Sequence, residues 1–492
     1  MATGSMINGK TSHWWHQLGQ PSRRPGLPGD LTVDVAIVGA GFTGLWTAYY
    51  LKQARPNLKI AVIEQEHAGY GASGRNGGWL TNSITGGREQ YLKQSGFAAF
   101  LRRSGLGRLP GGFGGGLASG STSGPVSRDT VERFQTLFNQ TVTEVMRVAE
   151  LEGVDADIKR GGEFNVAYTP AQEARLRRFA AAEQRWRSTD LQLLEASEAR
   201  AKINVAGTRA AIWHPHCARI HPAKLVSGLA EAVTRLGVTI YEGTRAIELE
   251  SGQVITDHGT VRADFVVRAT EGFTANLKGL KRLWLPMNSS MIATEPIAPE
   301  IWDEIGWREG ETLGDFAHVY MYAQRTADDR IAFGGRGVPY RYGSRTDNDG
   351  TTQPVTAQTL GDLLRRFFPQ LQNTRIEHLW SGVLGVPRDW SATVGLDRST
   401  GIAWAGGYVG TGVAATNLAG RTLTDLIIGE RSELTEMPWV DHRARRWEFE
   451  PLRWIATRGL YTAYGVADRQ EFAGRKTTSP IAKIADVITG RH

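Results

Sequence analysis

The sequence holds one cysteine, no run of about 18 apolar residues and no block of like charge. The lone thiol, Cys217, excludes an intramolecular disulfide and a thiolate metal cluster, and it is expected as a small core or pocket residue in a reducing cytoplasm. The missing apolar run leaves no membrane span to expect, and the N-terminus has no apolar signal core. The formal charge of +7 is diffuse. Residues 175–178 carry no interleaved aromatics and read as a solvated helix face. Residues 443–446 lie beside Trp447 and Phe449 and are expected to pack. Nucleic-acid binding would want a clustered basic footprint, so no nucleic-acid partner is expected.

What remains is an ordinary soluble composition, 41% hydrophobic and 22% charged over 492 residues, enough for two or three domains. Residues 1–5, ahead of a second methionine at Met6, read as a cloning scar and are left out of the fold reading. Residues up to about 30 read as an irregular arm, whose His13, Trp14, Trp15 and His16 are expected to tuck onto the body. From residue 33 the pattern sharpens. Residues 33–38 form a short apolar run ending in glycine, as a buried parallel strand does. Residues 42–53 have helical character and 59–64 a second strand. A helix at 222–236, strands at 238–241, 264–268 and 402–405, and a helix at 413–428 continue the series. Between these lie strands of another kind, at 161–168 and 330–335, and helices at 171–187 and 356–368. The expected class is a mixed α/β (α+β) chain, in which Rossmann-like nucleotide-binding pieces are interrupted by a second domain with antiparallel strands, giving a discontinuous two-domain architecture. The segments are 1–30 (arm), 31–95, 219–284 and 391–435 (cofactor domain), 128–218 and 285–390 (substrate domain), and 436–492 (a C-terminal extension that packs on the body or on a second copy). Residues 96–127 form a Gly/Ser-rich insertion; within it, 104–125 cannot bury enough to order itself cheaply and is a candidate lid.

The central motif is Gly39-Ala40-Gly41-Phe42-Thr43-Gly44. It follows a strand, opens a helix, and precedes Glu64 at the end of the next strand. Gly39 permits the tight turn, Gly41 lets the backbone approach a diphosphate, and Gly44 lets helix and strand pack closely. The helix N-terminus offers amides and positive dipole to phosphate, and Glu64 is placed to accept ribose hydroxyls. A second glycine-rich loop runs Gly71-Ala72-Ser73-Gly74-Arg75-Asn76-Gly77-Gly78-Trp79, where a longer, two-headed cofactor would continue. Arg268-Ala269-Thr270-Glu271-Gly272 ends a strand beside the presumed site. Ala405-Gly406-Gly407-Tyr408-Val409-Gly410-Thr411-Gly412 ends another and opens a helix whose dipole would favour a reduced, anionic flavin. Gln65, Ala246 and Val413 complete the expected cofactor contacts.

With these pieces in order, the chain resembles the D-amino-acid oxidase-like (DAO) family of FAD-dependent oxidoreductases, nearest its glycine, sarcosine and γ-glutamylputrescine oxidoreductase branches. The resemblance runs from about residue 33 to about 428. The 71–78 stretch, His221-Pro222, Ala269–Gly272, Thr294-Glu295-Pro296, Gly407-Tyr408 and Arg336 carry it. It implies a Rossmann-like FAD-binding domain with a discontinuous antiparallel-sheet substrate domain covering the flavin, FAD as cofactor, and a small amine or amino acid as substrate. Hydride passes from the carbon beside nitrogen to flavin N5, and the imine hydrolyses to a carbonyl product. The residues at 380–385 hold no thiol and the second glycine loop no histidine, the two tethers known in the family, so non-covalent FAD is expected. No lysine stands at 335–340, where the sarcosine oxidases carry one for oxygen, so the acceptor is O2 or another oxidant.

Amine oxidation by flavin asks the protein to orient a C–H bond, exclude water and favour the neutral amine. Aromatic walls do this by cation–π contact and desolvation. Tyr320, Tyr322, Trp380 and Tyr408 are the candidate walls, Arg336 a fork for a substrate carboxylate, and His221 a residue near the flavin; His214 and His216 read as pocket rim or satisfied core. No metal site is expected. The alternatives are oxidation of a C–OH bond in a phosphorylated polyol, for which Arg330, Arg336, Arg341 and Arg345 would supply charge, and a non-catalytic FAD-binding protein. Neither the amine nor the oligomeric state is legible.

Overall fold

The computed structural model describes residues 6–92, 126–335, 339–346 and 349–489. The expected lid at 104–125 and Arg336 lie outside them.

Two large sheets organise the chain. The first has the order β10 (Ala246–Glu250), β11 (Gln253–Thr256), β12 (Thr260–Arg268), β2 (Leu31–Val38), β3 (Ile60–Ile63), β9 (Thr239–Tyr241), with β19 (Ile402–Gly406) also on β12 and β18 (Thr393–Asp397) on β19. Its central pairs, β2 with β3 and β12, and β3 with β9, are parallel. Val35, Ile37, Ile60 and Val62 are fully or almost fully buried, which explains the continuous apolar runs. Helices α2 (Phe42–Ala54), α6 (Pro222–Arg235) and α9 (Gly412–Ile428) pack against it with α3 (Arg128–Leu151). Gly420 marks the closest of these crossings, where a Cβ would stand 2.8 Å from the Trp46 side chain.

The second sheet has nine strands in the order β1 (Ile7–Asn8), β17 (Ile376–Val386), β13 (Leu285–Thr294), β16 (Ile331–Gly335), β15 (Tyr322–Arg325), β14 (Thr312–Asp315), β5 (Glu163–Ala167), β7 (Ala210–His214), β6 (Gln192–Glu195). It is antiparallel except where β1 joins β17 and β14 joins β5. One face packs on its own apolar core of Phe164, Leu313, Ala323, Phe333, Ile292 and Leu379, covered by α8 (Pro354–Phe367). A small ribbon of β4 (Trp79–Thr81) with β8 (Cys217–Arg219) lies between the sheets.

The N-terminal arm and residues 175–178 depart from the sequence reading, whereas the C-terminal extension packs on the body. The arm is ordered: β1 extends the second sheet, and α1 (His13–Leu18) is capped by Ser12 and buries Trp14 and Trp15. Six residues are too few to show a helical period, and tertiary contact holds such a helix. Residues 175–178 are not a uniformly solvated face. Arg175 leaves solvent to bind Glu471 bidentately, at 2.7 and 2.8 Å, and the Phe316 carbonyl. That pair docks the terminal helices α10 (Leu452–Phe472) and α11 (Pro480–Thr489) onto the body. Among the described residues no helix is long and apolar enough to cross a membrane.

Candidate cofactor and substrate site

A cavity of about 360 Å³ opens where β2, β3 and β12 end, reaching the start of α9 and the strand β17. Its floor is the glycine fingerprint. Gly39 has φ +106°, and a Cβ there would lie 2.5 Å from the Ala269 carbonyl, so only glycine lets the ends of β2 and β12 meet. A Cβ on Gly44 would lie 2.0 Å from the Gly39 carbonyl, which fixes how closely α2 sits on β2. Gly41, Phe42 and Thr43 line the cavity. Gly41 is the N-cap of α2 and supplies no capping side chain; the Phe42 amide instead donates to Ser73 Oγ, 2.8 Å away. Glu64 and Gln65 line the cavity beside Ala246. Glu64 accepts from the amides of Ala40 and Glu66, both at 2.9 Å, and burial outweighs those bonds to push its carboxyl up to about 7. Each oxygen keeps a lone pair for a hydroxyl.

The second glycine loop contributes two faces. Gly71, Ala72, Ser73 and Asn76 line the cavity. Gly74, Gly77, Gly78 and Trp79, expected at the cofactor, face the other way. A Cβ on Gly74 would strike the Gly69 carbonyl and the Trp15 indole nitrogen, both at 2.3 Å; one on Gly77 would meet the Tyr322 ring at 2.7 Å; one on Gly78 would meet the Gln324 amide at 1.9 Å. The Trp79 indole donates to the Ala323 carbonyl. These glycines therefore serve packing behind the loop. Arg75 is turned from the cavity too: Nε donates to the Tyr70 carbonyl at 2.6 Å and the guanidinium lies over the Tyr70 ring.

The third edge carries Ala269, Thr270 and Glu271, then Tyr408, Gly410, Gly412 and Val413. Glu271, at φ +40°, accepts from the amides of Gly407 (2.8 Å), Gly385 (3.1 Å) and Tyr408 (3.3 Å). Burial pushes its carboxyl up to about 7 against those bonds and the charge of Arg268. Gly407 and Thr411 thus act behind the lining: Gly407 through Glu271, Thr411 through its hydroxyl to Thr85 at 2.8 Å. Tyr408 is no free substrate wall, because its phenol is buried and bonds Thr43 Oγ1 at 3.2 Å, tying the turn to the first turn of α2. Sequence reasoning missed Val383 and Leu384 of β17, Phe273, Asn276, and the Tyr70–Asp349 hydrogen bond at the rim. Phe273 and Asn276 follow the 268–272 motif directly and Tyr70 precedes the second glycine loop, whereas Val383 and Leu384 arrive through contact of β17 with the turn after β12.

The lining fits a flavin dinucleotide on its own terms. Bare glycine backbone at Gly39 and Gly41, a helix start without a side-chain cap of its own, and a buried carboxylate one strand away are the donor set that a diphosphate and a ribose require.

Above this cavity stands the polar face of the second sheet. Paired positions share a face, so Asn165, Gly314, Tyr322, Gly334, Met291 and Trp380 form one row and Glu163, Thr312 and Gln324 the next. Gln324 Nε2 donates to the Gly77 carbonyl and Trp380 Nε1 to the Arg75 carbonyl, both at 2.9 Å, which turns the face to the 71–81 segment. Tyr322 lies over Gly77 and Gly334, its hydroxyl 2.8 Å from Ser289 Oγ and its ring edge-on to Trp79 at 6.4 Å. A Cβ on Gly410 would stand 4.0 Å from the Tyr320 hydroxyl. Tyr320 therefore stands near the cavity lining, at Gly410, while Tyr322 packs on Gly77 behind the loop. Trp380 is buried and buttresses the loop.

His221 is a correction. It caps α6 through the Lys224 amide, bonds Gln17, and lines a separate surface pocket with Trp14 and Asp328. His-Pro is a helix start here, and that is the signal it carried. His214 pairs with Glu163 and His216 with Asp190. Cys217 is buried, and burial pushes its thiol up. Arg330 is committed to Asp328 and Glu377, and Arg341 to the carbonyls of Thr346 and Thr351, so neither is offered to a phosphate.

Comparison with known proteins agrees with this geometry. The DAO family model, described as FAD dependent oxidoreductase, matches residues 34–426. The γ-glutamylputrescine oxidoreductase of Escherichia coli (strain K12) is 28% identical over 406 residues, 81% of this chain and 84% of that protein. The probable oxidoreductase OrdL of Rhizobium meliloti (strain 1021) is 27% identical over 432 residues, 85% of this chain and 89% of that protein. Among solved structures, glycine oxidase from Geobacillus kaustophilus superposes with a TM-score of 0.62 at 20% identity, covering 82% of this chain and 96% of that one. L-proline dehydrogenase from P. horikoshii gives 0.62 at 18%, covering 84% and 98%. At these identities the structural likeness speaks for the fold.

Proposed function

The chain belongs to the DAO family of FAD-dependent oxidoreductases, and from that premise we propose that it oxidises the C–N bond of a small amine or amino acid. The observation that carries the reading is a single cavity that joins the glycine fingerprint and Glu64 to Val383 and Leu384 of the second sheet, with the Tyr320 hydroxyl close to its lining at Gly410. FAD, held without a covalent tether, supplies the two-electron acceptor for the hydride on the carbon beside nitrogen.

The residues of the chain do the rest. Ser73, Gly41 and the start of α2 hold the diphosphate; Glu64 receives ribose hydroxyls. Glu271 fixes the turn at Gly407 and Tyr408, which orients the start of α9 toward the flavin end of the cavity. Tyr320, beside Gly410, meets an ammonium group by cation–π contact, and exclusion of water lowers the amine's pKa so that the neutral form with its lone pair is the reacting one. The substrate loses a hydride from carbon and a proton from nitrogen. Water then adds to the resulting imine, giving a carbonyl compound and a free amine.

The decisive experiment is anaerobic mixing of the flavin-loaded protein with panels of amines, amino acids and polyol phosphates, followed at the visible flavin band. Bleaching by an amine or amino acid, with its carbonyl product, is the expected result; bleaching by a polyol phosphate alone refutes the reading. Repeating the reaction in air and assaying hydrogen peroxide identifies the acceptor.

A further inference from the structure

The N-terminal arm meets the cofactor loop from behind. Ser12 Oγ donates to the Gly74 carbonyl at 2.7 Å, and the Trp14 indole nitrogen donates to the Asn76 carbonyl at 2.9 Å. Both donors are buried, Trp14 to 1% exposure. Trp15 fills the remaining space, so close to Gly74 that a Cβ there would stand 2.3 Å from its indole nitrogen. The residues so gripped alternate with those that face the cavity: Ser73 precedes Gly74, and Asn76 lines the wall itself.

The grip passes on to the phosphate end. Ser73 Oγ accepts from the Phe42 amide at the first turn of α2, and a Cβ on Gly41 would stand 3.0 Å from that oxygen. The arm is not loose at its other end. β1 pairs with β17, and Asn8 exchanges side-chain hydrogen bonds with the Thr352 backbone at 2.8 and 3.1 Å. One short segment is thus anchored to the second sheet and pins the loop that shapes the diphosphate site.

We propose that Ser12 and Trp14 are positioning residues of the cofactor site, setting from outside the cavity the loop conformation that holds the diphosphate of FAD. The inference rests on FAD occupying this cavity. Losing one such hydrogen bond weakens binding about two- to tenfold, by the net worth of a buried hydrogen bond; losing both multiplies the effect.

The test uses the full chain stripped of flavin and titrated with FAD by quenching of flavin fluorescence, with the thermal midpoint of the FAD-free form measured alongside. The variants are Ser12→Ala, Ser12→Thr, Trp14→Phe and, as a matched control, Trp307→Phe, which also removes a buried indole bond, to the Glu311 carbonyl, but in the other core. Expected are a raised Kd for Ser12→Ala and Trp14→Phe, recovery in Ser12→Thr, an altered visible spectrum of the bound flavin in Trp14→Phe, and an unchanged Kd in Trp307→Phe. Unchanged Kd in Ser12→Ala and Trp14→Phe overturns the proposal, as does an equal loss in Trp307→Phe. An unmodified chain that takes up no FAD sinks the cofactor reading instead.

Discussion

The carboxylate of Glu271 accepts a 2.8 Å hydrogen bond from the amide of Gly407. Glu271 follows β12 and Gly407 follows β19, neighbouring strands of the first sheet. The same carboxylate takes the Gly385 amide of β17, which belongs to the second. A single side chain therefore joins both sheets at the flavin end of the cavity. Its charge is held against burial by three main-chain amides and Arg268, itself buried with its guanidinium 4.6 Å from the Trp284 ring centroid.

This clamp has a pH signature. Burial raises the folded-state pKa of Glu271 to about 7 from an ordinary 4.5. Between those values the folded, FAD-free protein binds more protons than the unfolded chain, so stability from this group is full below about pH 4.5 and is lost as pH rises through 7. Glu64 acts in the same sense. Glu271→Gln removes one such group. Thermal midpoints from pH 5 to 8 are expected to fall less steeply in the variant, by on the order of 1 kcal/mol per pH unit while the group titrates. Parallel profiles would show that Glu271 does not titrate there.

Gly41→Val places two methyl groups in the cavity wall, at the position proposed for the diphosphate. The variant is expected to keep its secondary structure by circular dichroism and to purify colourless. A yellow Gly41→Val protein contradicts the assigned site. Gly44→Ala differs in kind: its Cβ meets backbone at 2.0 Å, so the helix itself must move and the fold loses stability.

Tyr320→Leu removes the π face beside Gly410 while keeping bulk. A cation–π contact of about 0.5–2 kcal/mol predicts a two- to thirtyfold fall in kcat/KM for an amine, with FAD affinity unchanged. Tyr320→Phe keeps the ring and gives up the hydroxyl, and is expected to stay within about threefold. Equal losses in both would assign the role to the hydroxyl.

At Glu471 burial alone would raise the carboxyl, yet hydrogen bonds from His318 and Arg175 outweigh it and hold it down to about 2. Arg175→Ala strands that acid in the interior and is expected to cost about 3 kcal/mol in denaturant unfolding. Arg175→Leu with Glu471→Leu should recover much of it. A single variant as stable as the parent would mean the terminal helices dock by packing alone.

Much of this molecule was readable before any coordinates. The 39–44 fingerprint, Glu64 and the 269–271 and 408–413 turns signalled themselves because each couples a glycine to the end of a strand, and backbone sterics leave few other readings. What escaped was long-range. Val383 and Leu384 reach the cavity only because β17 packs beside the turn after β12, and nothing local in an antiparallel strand announces that. The second glycine loop was read as uniformly cofactor-facing, but glycine also marks close packing, and Gly74, Gly77 and Gly78 answer to Trp15, Tyr322 and Gln324. His221 and Tyr408 show the same ambiguity for polar side chains: a cap and a buried phenol look like site residues until their partners are known.

β2 carries the fingerprint near the start of the chain, but one of its two neighbours is β12, and the far wall of the cavity is closed by α9 beyond residue 411. During synthesis the early strand must wait, one edge open, for more than half the protein to emerge. Flavin loading is consequently a late event in biogenesis, and a ribosome product cut short before Gly412 is a colourless species with an aggregation-prone edge.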